Sequence, residues 1–183
     1  TGGDPDVGDP VTYDVYFGTS ASPPLVSNDQ TGTTYNLGTL SYNTKYYWKI
    51  VAADNHGASA TGPLWNFTTG SAPNHPPQLS NPSVQPTSGT PSTNFYYYVR
   101  YYDSDGDSPS ARYVYVDGSP CLMSLYSGSA SNGVYRCGPK NLSAGSHSYY
   151  FYFTDGKGGA ARLPISGSYS SPTVSEANNP PKT

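Results

Sequence analysis

The residues best suited to chemistry are carboxylates carried in short, glycine-bearing loops. Asp103, Asp105 and Asp107 stand at alternate positions, and Gly106 between them permits a tight bend. Carboxylates crowded in this way repel one another unless a cation or hydrogen bonds compensate, and three or four of them with backbone carbonyls form a hard-oxygen site that suits calcium. Asp155, in Thr154-Asp155-Gly156, follows a later strand. In a two-sheet sandwich the loops after the second and sixth strands share one end, which would bring Asp155 to the Asp103 group. A paler set opens the chain, where Asp4, Asp6 and Asp9 would be joined by Asp54, although Pro5 and Val7 make that loop stiffer. The pattern departs from the EF-hand loop, since its closing Glu and its flanking helices are missing. The plainer reading is that each Asp caps the backbone of its own turn. On either reading these loops brace the fold and do not catalyse.

No other constellation supports an enzyme. His56 falls in a turn, His75 between Asn74 and Pro76, and His147 at a strand start, and no two of them stand at metal-ligand spacing. A G-x-S-x-G elbow, a phosphate loop and a dinucleotide fingerprint are all missing. The 9 Lys and Arg are scattered through a chain of net charge -3, which excludes a basic patch for nucleic acid. No run of about 18 apolar residues offers membrane insertion. Without an initiating Met or a signal peptide, the chain reads as a processed or excised piece. Charged residues are only 11%, and this polar, uncharged composition with 2 Cys fits an extracellular or cell-surface setting.

The elements that must position these loops are strands. Tyr13, Val15 and Phe17 alternate, as do Tyr46, Trp48, Ile50 and Ala52 within residues 40–53. Residues 25–26 and 33–37 are shorter candidates, and Trp65 and Phe67 share a core-facing side in the last strand of this half. No segment shows an apolar period of 3.6, so helices are not expected. After a Pro-rich linker over residues 71–78, seven strands are expected at 79–85, 93–102, 111–117, 121–126, 133–142, 146–154 and 161–169. That spacing fits an antiparallel two-sheet sandwich over 79–174. Residues 175–183 read as a linker to a further module.

Leu40, Thr44, Tyr46 and Trp48, followed by Trp65-Asn66-Phe67-Thr68-Thr69, resemble a fibronectin type III domain across residues 11–69. The resemblance implies that Tyr46 is a corner tyrosine whose hydroxyl bonds nearby backbone. It also implies two further strands before Tyr13, so the module over residues 1–70 looks incomplete. Those strands would come from a longer array, from a neighbouring molecule by strand addition, or from residues since removed. The second module resembles immunoglobulin-like repeats of large secreted bacterial and archaeal surface proteins. It does so through Pro76-Pro77-Gln78-Leu79-Ser80-Asn81-Pro82, the Asp-rich loop, Leu142-Ser143-Ala144-Gly145-Ser146-His147, and Thr154-Asp155-Gly156. The fold class expected is therefore all-β, with two tandem Ig-like/fibronectin type III-like antiparallel β-sandwiches.

Cys121 and Cys137 are the sole pair, and in a secreted sandwich they would form a disulfide across neighbouring strands, the alternative being two buried thiols. Asn66-Phe67-Thr68 and Asn141-Leu142-Ser143 match the glycan acceptor pattern. The 19 tyrosines exceed what a core needs. Tyr96, Tyr98 and Tyr102 share the outer face of one strand, Tyr150 and Tyr152 that of its partner, and Tyr113 and Tyr115 also point outward. Three readings compete: rings that simply fill strand positions, a protein–protein surface between copies, and a platform for sugars. Together these features read as a structural module of a cell-surface or filament-forming protein. Its expected partners are further copies or neighbouring modules of the same protein, possible glycans being the rival ligands. An adhesion or carbohydrate-binding accessory module and a passive spacer are the alternatives.

Overall fold

A computed structural model of the chain describes residues 9–176. The chain divides into two compact units, Thr1–Pro73 and Asn74–Thr183. Every regular element described is a strand, and the pairings are antiparallel with one short exception. Among the described residues, no helix is long and apolar enough to cross a membrane.

Unit 1 holds β1 (Val11–Gly18), β2 (Leu25–Gln30), β3 (Lys45–Asp54), β4 (Ser59–Thr61) and β5 (Trp65–Thr68) in one sheet. β1 lies between β2 and β3, while β4 and β5 pair with opposite halves of β3. Pro63 stands between the last two and cannot donate to a ladder. The register sets Val15 opposite Ile50, Phe17 opposite Trp48 and Tyr46 opposite Phe67, so the alternating apolar residues all fall on one face. There Phe17 stacks on Tyr46 at 5.0 Å and Trp48 on Trp65 at 4.5 Å. Tyr46 makes the corner contact expected of it, its hydroxyl accepting the Ser41 amide at 3.1 Å.

This face is only partly covered. Trp65 and Phe67, expected to face a core, keep 41% and 37% of their surface. Residues 33–37, expected as a strand, enter no strand pair among the described residues. Tyr35 and Leu37 instead line an open cavity of about 310 Å³ together with Val15, Phe17, Ile50 and Phe67. The side-chain alternation is present in that segment, but no neighbouring strand offers it a ladder. Among the described residues, unit 1 is one layer and not two.

Unit 2 is a two-sheet sandwich. One sheet runs β10 (Ser119–Leu122), β9 (Ala111–Val116), β13 (Gly145–Thr154), β15 (Tyr169–Val174) and β7 (Ser88–Gly89), with β14 (Ala160–Leu163) also on β13. The other runs β11 (Ser124–Ser129), β12 (Asn132–Lys140), β8 (Phe95–Tyr102) and β6 (Gln78–Gln85). Alternate residues of the central strands fill the space between. Phe95, Tyr97, Val99 and Tyr101 of β8 and Phe151 and Phe153 of β13 are wholly buried. Their rings meet edge-on or tilted, as in Tyr97 with Tyr149 at 5.1 Å and Tyr101 with Phe153 at 5.6 Å.

Two expected strands are each broken in two. Residues 121–126 do not form one strand, because the chain changes sheets at Met123. That side chain is wholly buried at the crossing. Met123 and Arg112 are tied there by two bonds, the Met123 amide to the Arg112 carbonyl at 2.9 Å and the Arg112 Nε to the Met123 carbonyl at 2.8 Å. Residues 161–169 also split: β14 pairs with the end of β13, β15 pairs with its beginning, and Pro164 interrupts between them. The switch at Met123 also corrects the expected disulfide geometry. Cys121 and Cys137 are bonded, but β10 and β12 belong to different sheets, so the bridge joins the two layers and not neighbouring strands of one sheet.

Candidate functional site

Three turns share one construction. In Asp54-Asn55-His56-Gly57-Ala58, Asp103-Ser104-Asp105-Gly106-Asp107 and Asp155-Gly156-Lys157-Gly158-Gly159, the first Asp turns its Oδ1 onto its own loop. That oxygen accepts the amides two and four residues on: His56 and Ala58 (2.8 and 2.8 Å), Asp105 and Asp107 (2.9 and 3.1 Å), Lys157 and Gly159 (2.7 and 2.9 Å). The fourth residue is in each case a glycine at positive φ, 92°, 81° and 105° in turn. The three loops share the spacing D-x-x-G-x. Its physical content is a carboxylate cap on the backbone, and that takes one oxygen of Asp54, Asp103 and Asp155 away from any ligand set.

The carboxylates of the Asp103 loop lie close together. Ligand atoms of Asp103, Asp105 and Asp107 lie within 4.8 Å of one another and could hold a metal ion. The core positions the loop: the Tyr101 hydroxyl donates to the Asp107 carbonyl at 3.1 Å, and burial pushes its phenol pKa upward. Protein cations reach the same carboxylates. Lys157 Nζ is 2.6 Å from Asp107 Oδ1. The His75 ring and amide bind the two oxygens of Asp105 at 2.9 and 2.6 Å. These contacts hold the carboxyl of Asp105 below its usual range, first through the His75 amide, and raise His75 and Lys157 through their own carboxylate bonds. Asp107 Oδ2 is buried with no hydrogen-bond partner among the described residues. The donor set is therefore of the hard-oxygen type calcium takes, with one orphaned acceptor, and an entering ion would have to displace Lys157.

Asp155 binds the strap of chain that opens unit 2. Its Oδ2 accepts Asn74 Nδ2 at 2.8 Å, and that bond leads the effects that lower its pKa. Residues 74–77, read from sequence as part of a linker, are thereby bound to the acidic end of this unit. Gly159 allows the close approach, since a Cβ there would lie 2.1 Å from Asp155 Oδ2 and 2.8 Å from Pro76 Cα. In the paler set, Asp9 pairs with His56 at 3.0 Å and Asp54 caps its own turn. Asp4 and Asp6 lie outside the described residues.

Sequence reading did not find His147. Its ring is 2.6 Å from Asp117 Oδ2 through Nδ1 and 2.9 Å from the Ser143 carbonyl through Nε2. Both partners can only accept, so these contacts favour the doubly protonated, cationic ring. The Asp117 bond raises its pKa above the ordinary value. Burial opposes ionisation of Asp117, but donors from Ser148 and His147 outweigh it and hold that carboxyl low. The separation of 30 positions between the partners hid this clasp.

The tyrosines form two outer bands. On the β9–β13 sheet, Tyr115 and Tyr150 stack at 4.7 Å and 6°, Tyr113 lies opposite Tyr152, and Arg162 sits 4.1 Å over Tyr150. On the other sheet, Tyr98 meets Tyr126 edge-on at 5.5 Å, and the Arg136 guanidinium lies 5.2 Å from the Tyr96 ring and 4.8 Å from that of Tyr126. Tyr102 is exposed. The rings thus pack laterally on one another, which accounts for part of the surplus by cross-strand pairing. Of the glycan acceptor candidates, Asn66 is exposed on β5, while the Asn141 amide donates to the Thr93 carbonyl at 3.1 Å.

No family model and no curated protein matches the chain. Among solved structures it is similar to the fibronectin(III)-like modules of CbhA from Clostridium thermocellum. The identity is 20% over 93% of this chain and 82% of that one, with a TM-score of 0.34. The all-β assignment rests on the strand orders, registers and core described above.

Proposed function

We propose that this chain is a structural, non-catalytic module of an extracellular, cell-surface or filament-forming protein, and that it packs against neighbouring modules or copies. The observation that carries this reading is the half-covered aromatic face of unit 1. A single sheet with one apolar side is not a stable layer by itself, and large exposed apolar patches mark surfaces that are covered in use. The unpaired segment 33–37 and the cavity beside it suit an added strand that brings apolar residues at alternate positions. The disulfide and the scarcity of charge support an extracellular setting. Both Trp of the chain, Trp48 and Trp65, lie on the face in question, so indole fluorescence reports on its covering. In assembled material from the native source, acrylamide should quench these indoles weakly, and dispersal should expose them. Equal quenching before and after dispersal would defeat the reading.

Calcium at Asp103, Asp105 and Asp107 would brace the acidic end of unit 2, replacing Lys157 as countercharge. At a free concentration one hundred times its dissociation constant, a bound ion stabilises a fold by about 2.7 kcal/mol. Titration is expected to raise the unfolding temperature of unit 2, and Asp105→Asn to remove that rise. A calcium-independent unfolding temperature would sink the metal assignment and leave the Asp loops as caps alone. Exposed Tyr102 and Tyr126 beside Arg100 and Arg136 are what favours the second reading, a carbohydrate-binding accessory role.

A further inference from the structure

We propose that the cleft beside Arg136 is a receptor for carboxylate side chains of a second copy of this chain, supplied by Asp14 and Asp29 of its unit 1. This rests on the reading of the chain as a module that packs against copies of itself, and names the two surfaces.

Arg136 is held between the rings of Tyr96 and Tyr126, yet it makes no ion pair and no hydrogen bond among the described residues. A guanidinium lying against two rings, with no partner for its N–H groups among the described residues, is available to a carboxylate. Beside it lies a cleft of about 230 Å³, walled by Arg136, Tyr126, Leu122, Leu125, Pro139 and the disulfide. Its rim is open, with Leu122, Leu125 and Tyr126 exposed by 57%, 44% and 56%. A half-buried basic group within an exposed Leu and Tyr rim has the composition of an interface anchor. The cleft flanks β11, the outer strand of its sheet, whose six residues are exposed and uncharged, so nothing on that edge repels an approaching chain.

Unit 2 cannot neutralise this arginine from its own sheets. Its strands contain Arg100, Arg112, Arg136, Lys140 and Arg162, and none contains an Asp or Glu. Residues 1–73 carry six Asp and two Lys and so are net negative, whereas residues 74–183, loops included, carry six acidic and seven basic side chains and are nearly balanced. Asp14 and Asp29 stand side by side in unit 1, the Asp29 amide donating to Asp14 Oδ1 at 2.9 Å. Neither forms an ion pair among the described residues. Charge complementarity therefore points from unit 2 of one copy to unit 1 of the next. Such a contact joins two different surfaces, the heterologous kind that builds rings or open chains according to whether its rotation closes.

The test is sedimentation of the whole chain over a range of concentration and salt, with the variants Arg136→Glu, Arg136→Gln and Asp14→Lys/Asp29→Lys. The wild type is expected to form oligomers that weaken with salt. Each variant should weaken association by roughly tenfold or more. Arg136→Gln keeps a planar polar group between the rings, so its loss of association cannot be laid to misfolding of the cleft. Mixing Arg136→Glu with the double Lys variant should restore oligomers, since each then meets an opposite charge on the other. A wild type that stays monomeric, arginine variants that associate like wild type, or a mixture that fails to recover would each overturn the proposal. Saturable 1:1 binding of oligogalacturonate through Arg136 by a monomer would overturn it in favour of an acidic-sugar site. Indole quenching separates the two claims. If Trp48 and Trp65 stay protected in assemblies of the arginine variants, the covered sheet face stands and the cleft falls.

Discussion

Replacing Phe153 by alanine is expected to destabilise unit 2 by about 3–5 kcal/mol, the range for truncating a buried aromatic. Phe153 is wholly buried on β13, which is hydrogen bonded on both sides within its sheet. Its ring touches Tyr101 at 5.6 Å and Tyr135 at 5.4 Å, so truncation removes the common neighbour of two tyrosines anchored elsewhere. The Tyr101 hydroxyl is fixed to the Asp107 carbonyl and that of Tyr135 to the Ala130 carbonyl at 2.8 Å. Neither ring can swing into the space without breaking its bond, so the cavity stays open. Chemical denaturation of the unit 2 transition would read the change. A loss below about 1 kcal/mol would mean that the sandwich closes over the gap and that the core is less tightly determined than its packing implies.

The second large effect is expected from the disulfide. Changing Cys121 and Cys137 together to alanine should cost about 3 kcal/mol by the chain-entropy argument for a loop of this length. The separation is 16 residues, and the loop contains the whole passage from one sheet to the other. Removing the link frees that passage in the unfolded chain and also takes away a covalent tie between the layers. The midpoint of denaturation should fall on reduction of the native protein as well as in the double variant. An unchanged midpoint in both would show that Met123 and the Arg112 bonds alone hold the crossing.

What could be read from sequence was what depends on local alternation. The inward and outward faces of β8 and β13 follow from residues two apart, whereas the corner role of Tyr46 came from the fibronectin type III resemblance and not from alternation. Features that depend on a choice of partner could not be read. Residues 121–126 present one continuous strand-like run with no glycine or proline at Met123, and periodicity cannot say which sheet a residue pairs with. Pro164 was a usable signal for the break in 161–169. Residues 33–37 alternate correctly, yet alternation does not create a neighbour, and the segment stays out of the sheet. The acidic loops were legible as Asp-rich turns with glycine, but the distribution of each carboxylate between backbone cap, protein cation and open oxygen needed atomic positions. The His147–Asp117 clasp and the His75–Asp105 contact join residues 30 apart, and no short motif marks either.

The crossing at Met123 has a mechanical side. Under tension, a chain pays out length as its strands peel away. The stretch from Cys121 to Cys137 is withheld from that extension, because the bridge carries the load across a Cα separation of 6.2 Å. About 50 Å of contour, at the reach of an extended chain, therefore stays locked after every ladder of unit 2 has been pulled apart. The switch of sheets lies wholly within that locked length. Force alone unravels the layers around it, and the small loop that stitches them yields only to a reductant.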